Sequence, residues 1–316
     1  MFKFISELKG KSILITGGSG FFGKVLCYYL IEIKKKYQID FEIIALARTP
    51  YKIDGVKFLS HDVTQPLILD EKIHYIIHAA NPATENLDAQ EMLSIMINGT
   101  QSMLRFADKN GCEKFLLVSS GAVYGEQPAN CENISEEDHF GYPLYDSGSA
   151  YTSGKRISEI MALEWSHHSK ANLSIARCFA FSGEHLPLDR HFAIGNFIKD
   201  VVDKRKIELK SDGSAIRSYM DEEDLAHWLV TILIQSETRG IYNVGSDQSL
   251  SILDLANRVA KLSGCENVTS LQSQGATRRN KYVPSIEKAK HDFQLGLSVS
   301  LDQSIQKMLE KAKEIK

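Results

Sequence analysis

The chain has 316 residues, enough for one large domain or two smaller ones, and a net charge of −3, so no broad basic surface points to nucleic acid. The lysine run Lys34 to Lys36 is short and reads as a solvated helix end. Five scattered cysteines without metal spacing suit a reducing compartment, no apolar run is long enough to span a bilayer, and the N-terminus is too charged for a signal peptide, so the chain is read as cytoplasmic, with no membrane partner and no metal.

Phe2, Phe4, Ile5 and Leu8 suggest a short amphipathic helix. Ser12 to Ile15 reads as a buried strand, followed by Gly17, Gly20 and Gly23 and then a helical pattern to Ile33. Further strands are expected at Phe41 to Ala47, Val56 to Leu59, Tyr75 to Ala80, Phe115 to Ser119 and Leu173 to Phe179. Long helices are expected at Met92 to Lys109 and Ala150 to His168. Strands alternating with helices predict an α/β fold with a doubly wound parallel sheet of the Rossmann type. From about Phe181 shorter mixed elements begin: a loop to Arg190, helices at Phe192 to Asp203, Asp224 to Ile234 and Ile252 to Ser263, and strands at Lys206 to Lys210 and Ile241 to Val244. The expected division is a dinucleotide-binding domain over residues 1–180 and a smaller mixed α/β substrate lobe over residues 181–316, with some strands returning to the first.

Three stretches carry chemistry. In Thr16-Gly-Gly-Ser-Gly-Phe-Phe-Gly23 the glycines meet three needs at once: a tight exit from the strand, close approach of a pyrophosphate to main-chain N–H groups, and a helix packed near the sheet. Tyr151 and Lys155 are four apart on a helix, hence on one face, and a nearby cation favours the phenolate, making Tyr151 a candidate general acid or base. Tyr-x-x-x-Lys is also a frequent surface pair, and its place downstream of a dinucleotide turn gives it weight. Ser119-Ser120-Gly-Ala-Val-Tyr124-Gly puts hydroxyls at the carboxyl end of a strand, where one can donate to a substrate oxygen.

With these residues the chain resembles the extended short-chain dehydrogenase/reductases that remodel nucleotide-diphosphate sugars. Further matches are His78-Ala-Ala80, Asn98-Gly-Thr100 and Arg217-Ser-Tyr-Met-Asp-Glu-Glu-Asp224. The resemblance implies hydride transfer at a sugar carbon, usually C4, with Tyr151 shuttling the hydroxyl proton, Ser120 holding the same oxygen, and Lys155 bonding the nicotinamide ribose. It places Gly17, Gly20, Phe21, Phe22 and Gly23 at the dinucleotide, with Ala79, Ala80 and Asn98. Asp62 and Val63 would meet the adenine. Asn81, Tyr124, His191, Asn196 and Arg217 fall to the substrate, Arg217 as a donor to its diphosphate. The helices around Met92 and Ile157 would build a homodimer.

The chain departs from the family at three points. Sugar 4,6-dehydratases carry an aspartate and a glutamate where Gly121 and Ala122 stand, and neither of these can exchange a proton. The second strand ends Ala45-Leu-Ala-Arg48 with no acid for the adenine ribose, and Arg48 suits a 2′-phosphate, favouring NADP over NAD. Ala180 replaces an asparagine that contacts the diphosphate, with His185, His191 and Asn196 as downstream replacements. The expected function is therefore 4-keto reduction or 4-epimerisation of a nucleotide sugar in surface-carbohydrate biosynthesis. The alternatives are a 4,6-dehydratase using displaced acids (Glu126, Glu184 or Asp189) and a non-catalytic NADP-binding scaffold.

Overall fold

Helix α1 (Phe2–Leu8) precedes β1 (Ser12–Thr16), whose five side chains are all buried. The computed structural model describes residues 2–49, 51–82, 87–143, 148–190, 192–265, 268–270 and 280–314. After β1 the chain forms α2 (Phe21–Tyr37), β2 (Glu42–Ala47) and β3 (Lys57–Ser60). Next come β4 (Tyr75–His78), α3 (Ala89–Asn110), β5 (Lys114–Ser120), α4 (Ser149–Ser166) and β6 (Asn172–Cys178). Shorter elements follow: β7 (Phe181–Ser182), α5 (Ala193–Val202), β8 (Ile207–Glu208), β9 (Ile216–Ser218), β10 (Met220–Asp221), α6 (Glu222–Gln235) and β11 (Gly240–Val244). The chain closes with β12 (Ser249–Ser251), α7 (Ile252–Ser263), β13 (Val268–Thr269), β14 (Lys281–Tyr282), α8 (Glu287–Phe293) and α9 (Leu301–Glu314).

Seven strands form one sheet in the order β11-β6-β5-β4-β1-β2-β3. The pairings from β3 through to β6 are parallel. The strand order reverses between β1 and β4, so the carboxyl ends of those two strands flank the crevice where ligands of open α/β sheets bind. Both faces of the sheet are covered, which is why β1 and β4 read as continuous apolar runs rather than alternating ones. Leu14, Ile44, Ile76, Phe115 and Leu173 pack with Met103, Leu104 and Phe106 of α3 and Ala162 of α4 in one core cluster. Helix α3 starts at a capping box, Asp88 with Glu91, and stops at Gly111 in the left-handed conformation.

The chain divides into two compact units. One comprises Met1–Val123, Tyr142–Cys178 and Ala226–Tyr242. The other comprises Tyr124–Gly141, Phe179–Leu225 and Asn243–Lys316. The second is built on a three-stranded sheet β12-β9-β14, two short strand pairs, and α5, α7 and α9 packed together. The Asp224 carboxylate accepts from the Ser298 and Val299 amides at the start of α6.

The expected strands and crossover helices of the first unit are present, with β4 ending at His78 rather than Ala80, so Ala79 and Ala80 lie in a loop. Helices α8 and α9 and the short strands β7, β9, β10, β12, β13 and β14 were not expected. Among the described residues no helix is long and apolar enough to cross a membrane, and no cluster of ligating side chains could hold a metal ion.

Candidate active site

The turn after β1 is a cradle that side chains would fill. Gly17 has φ +73°, and a Cβ there would stand 2.9 Å from the Ala80 Cα. A Cβ on Gly23 would strike the Gly17 carbonyl oxygen, which lies against the first turn of α2. The Gly18 amide donates to the Leu46 carbonyl at 2.8 Å, and the Gly20 amide to Gly17 at 2.9 Å. Helix α2 starts at Phe21, and Gly20 gives it no side-chain cap, so the positive end of the helix dipole lies beside the glycine turn, where it favours an anion. Phe21 and Phe22 meet edge to face, with ring centroids 5.6 Å apart. This geometry fits the pyrophosphate of a dinucleotide.

Helix α4 carries Tyr151 in its first turn and Lys155 one turn on. Lys155 is buried, and its Nζ donates to the Val118 carbonyl of β5 at 2.9 Å. The phenolic oxygen of Tyr151 accepts from the Asn81 Nδ2 at 3.4 Å. Ser120 is the last residue of β5, and its Oγ accepts from the Ala122 amide at 3.2 Å, leaving its own hydrogen to donate. Ala122 and Gly121 sit in a 3-10 turn, Gly121–Tyr124. One turn beyond Lys155, the buried Glu159 carboxylate accepts from Arg177 of β6 at 2.8 Å and from the Ser119 hydroxyl at 2.5 Å. Thus Tyr151, Lys155, Ser120, Asn81 and the glycine turn all belong to the first unit, on or beside the carboxyl ends of β1, β4 and β5.

Beneath them lies His78. It is buried at the end of β4, and its Nδ1 is 2.8 Å from the Thr16 hydroxyl. That hydroxyl also accepts the Ala80 amide at 3.0 Å. Burial, aided by the Lys155 charge, pushes the His78 pKa down to about 3, so the ring is neutral.

The other expected residues are placed as follows. Val63 packs on α3, where a Cβ on Gly99 would lie 3.1 Å from its Cγ2. The Asp62 carboxylate accepts from the Thr64 amide at 2.9 Å, and that bond, with Arg48 nearby, holds its pKa below the usual range. Arg48 is exposed after β2, and Asn98 is exposed on α3, donating to Ser94 at 3.0 Å. In the second unit, the buried Tyr124 hydroxyl donates to the Asn243 side chain at 2.7 Å. Arg217 donates to the Asn280 carbonyl at 2.9 Å, lies 5.9 Å from the Tyr282 ring centroid, and has its pKa lowered by burial. Asn196 is half-buried on α5. His191 lies outside the described residues.

Residues 13–245 match the NAD dependent epimerase/dehydratase family. The chain belongs to that family. It is 26% identical over 304 residues to UDP-glucuronic acid decarboxylase 1 of Arabidopsis thaliana, covering 94% of this chain and 68% of that one. Its fold is similar to that of UDP-glucose 4-epimerase of Thermotoga maritima, solved with UDP-glucose, at TM-score 0.83, 17% identity and coverage of 96% and 99%. It is also similar to RMD of Pseudomonas aeruginosa, complexed with NADPH, at TM-score 0.79, 22% identity and coverage of 97% and 100%. Among such structures of the same fold, one holds UDP-glucose with NAD and another holds NADPH.

Sequence reading gave no role to Thr16, Thr100, Ser158, Glu159 or Arg177. Thr16, His78 and Thr100 were visible as letters of motifs, but the partner of each is distant in sequence.

The buried imidazole makes a prediction. A base whose pKa falls from about 6.5 unfolded to about 3 folded takes up its proton preferentially in the unfolded state between those values. Stability from this group is complete above about pH 6.5 and is lost as pH falls towards 3, at up to about 1.4 kcal/mol per pH unit. Urea unfolding between pH 6.5 and 4.5 should show a steeper loss for the wild type than for His78→Gln; parallel curves would contradict the neutral buried ring.

Proposed function

We propose that this protein performs NAD(P)-dependent hydride chemistry at C4 of a nucleotide-diphosphate sugar, as a 4-keto reductase or a 4-epimerase in surface-carbohydrate biosynthesis. The observation that carries this reading is the placing of Tyr151, Lys155 and Ser120 in one unit with the glycine turn, with Tyr151 tied by Asn81 to the loop that walls that turn. A bound nicotinamide would give or take the hydride. Tyr151 moves the proton of the C4 hydroxyl, Ser120 donates to that oxygen, and Lys155 holds the ribose. The N–H groups at the start of α2 bind the pyrophosphate, and Arg217 offers a planar donor to the diphosphate of the sugar.

A 4,6-dehydratase must exchange protons at C5 and C6, and Gly121 and Ala122 have nothing to exchange. A decarboxylase is the second reading, favoured by the names of the relatives. Oxidation at C4 would put a ketone β to the carboxylate on C5; the C5–C6 bond then breaks, its electron pair stays as an enolate while carbon dioxide leaves, and C5 takes up one proton, with no acid at positions 121 or 122 needed to expel a leaving group. For the cofactor, Arg48 at an acid-free strand end supports NADP over NAD. For assembly, Ile157 and Ile160, three apart on α4 and 37% and 58% exposed, support a homodimer through this helix.

Three experiments check these readings. Wild-type protein with NADPH and nucleotide-4-keto-6-deoxyhexoses should consume absorbance at 340 nm, and Tyr151→Phe should lose at least about a hundredfold of that rate. No loss of absorbance on any such substrate, together with carbon dioxide from UDP-glucuronate, would replace reduction by decarboxylation. Arg48→Ala should weaken NADPH about tenfold and leave NADH unchanged, in keeping with one lost charge-assisted contact; equal effects on both would remove Arg48 from the 2′-phosphate. Ile160→Asp should shift the sedimenting species from dimer to monomer, whereas a monomeric wild type would end the dimer proposal.

A further inference from the structure

One assignment of hydrogens satisfies every bond around His78. The Ser158 hydroxyl on α4 has one hydrogen and two carbonyls to give it to, Gly154 at 2.9 Å and Met96 at 3.1 Å. With that hydrogen spent, Ser158 accepts from the Thr100 hydroxyl at 3.2 Å. Thr100, its own hydrogen spent, turns a lone pair to the His78 Nε2 at 3.4 Å, which must therefore carry the ring hydrogen. In a neutral ring Nδ1 is then an acceptor and takes the Thr16 hydrogen at 2.8 Å. The remaining lone pairs of Thr16 accept the Ala80 amide at 3.0 Å. The next residue, Asn81, donates to Tyr151 at 3.4 Å.

The path therefore leaves α4 at Ser158 and returns to it at Tyr151. The hydroxyls of Ser158, Thr100 and Thr16 along it each donate once and accept at least once. The path passes through β1, β4 and α3, and through the backbone at Ala80 that approaches Gly17. The groups facing the imidazole are Thr16 from β1, Phe115 from β5 at 6.2 Å between ring centroids, Thr100 from α3, and Lys155 from α4.

We propose that His78 is a positioning residue: as the neutral tautomer with its hydrogen on Nε2, it joins the wall of the dinucleotide turn to the tyrosine-bearing helix through this one directional circuit. The inference rests on the reading of that turn as the dinucleotide seat, though not on the chemistry done at the sugar. An imidazole suits the place because its two nitrogens face opposite ways, accepting from β1 and donating to α3. With the proton on Nδ1 instead, the bare Nε2 would face a lone pair of Thr100, whose hydrogen is given to Ser158, and the path would break there. Because the path runs through α4, a group on that helix outside the turn should influence how tightly the dinucleotide is held.

The test is a double-mutant cycle on NADPH binding, read by nicotinamide fluorescence, with NADH measured alongside and folding checked by circular dichroism. Ser158→Ala should weaken the dinucleotide by about three- to tenfold, the worth of one hydrogen bond. His78→Gln should weaken it at least as much, and adding Ser158→Ala to His78→Gln should change nothing further. If His78→Gln does not fold, Thr100→Val takes its place in the cycle. Nitrogen-15 spectra of histidine-labelled wild type should show Nδ1 unprotonated and Nε2 protonated at pH 7. The proposal is overturned by wild-type affinity in Ser158→Ala, by effects that multiply in the double variant, or by a proton on Nδ1. A wild type that obeys the cycle yet reduces no sugar nucleotide would sink the functional reading alone.

Discussion

The bond between the Thr16 hydroxyl and the His78 ring fastens the site together. These residues end β1 and β4, neighbouring parallel strands at which the strand order of the sheet reverses. Strands at such a point send their chains to opposite sides, and nothing in the ladder beyond their last pair holds the two exits together. The hydroxyl–imidazole bond does so at 2.8 Å, in a place closed to water. Leaving one of these groups unsatisfied in the core costs about 1–3 kcal/mol, a large share of the 5–15 kcal/mol by which a domain is stable. It also brings Ala80 against Gly17, which is why that position tolerates no side chain.

The tyrosine-bearing helix is held from its other side by charge. Glu159 follows Lys155 by one turn and is buried, receiving two guanidinium nitrogens of Arg177 and the Ser119 hydroxyl. A buried ion pair adds little net stability, but removing one partner strands the other at a cost of about 3–5 kcal/mol. Sliding α4 by a single residue would break this pair and the Lys155 bond to Val118 together. Register on β5 and β6 is therefore fixed beside Ser120, and with it the distance from Ser120 to the tyrosine helix.

The first unit was legible because its constraints are local. A strand, a glycine-spaced turn and a helix follow one another within Ser12 to Ile33, and the i to i+4 spacing of Tyr151 and Lys155 is helical arithmetic. The partners inside the site were not legible for the opposite reason. Thr16 and His78 lie 62 positions apart, and Tyr124 meets Asn243 across 119. No spacing rule links such pairs, so His78 registered only as a letter of a motif. The second unit fared worst. Strands of two or three residues such as β7, β9 and β14 are too short to show a period, and their pairing decides them. Helix α9 does carry an apolar stripe, Ile305, Met308, Leu309 and Ala312, but Gln306, Lys307, Glu310 and Lys311 interrupt it in sequence.

Ser120 and its neighbours bear on which reactions suit this site. The Ala122 amide occupies a lone pair of the Ser120 hydroxyl, so the hydroxyl hydrogen points elsewhere and acts as a donor. A donor fits either an alcohol or a ketone oxygen at the reacting carbon. It therefore permits hydride transfer in both directions and does not choose between reduction and epimerisation. Chemistry at C4 alone needs one hydride and one proton, and on the proposed reading Tyr151 supplies the proton with no second acid. Water loss across C5 and C6 needs two further proton transfers, and the turn that follows Ser120 offers only the hydrogen of Gly121 and the methyl of Ala122. Decarboxylation sits between these cases: carbon dioxide leaves its bonding electron pair behind as an enolate stabilised at the C4 oxygen, so no acid is needed to expel it, and C5 then takes up a single proton. The residues after β5 thus bear on how many protons a reaction here can move, and on the proposed reading this chain performs one that moves few.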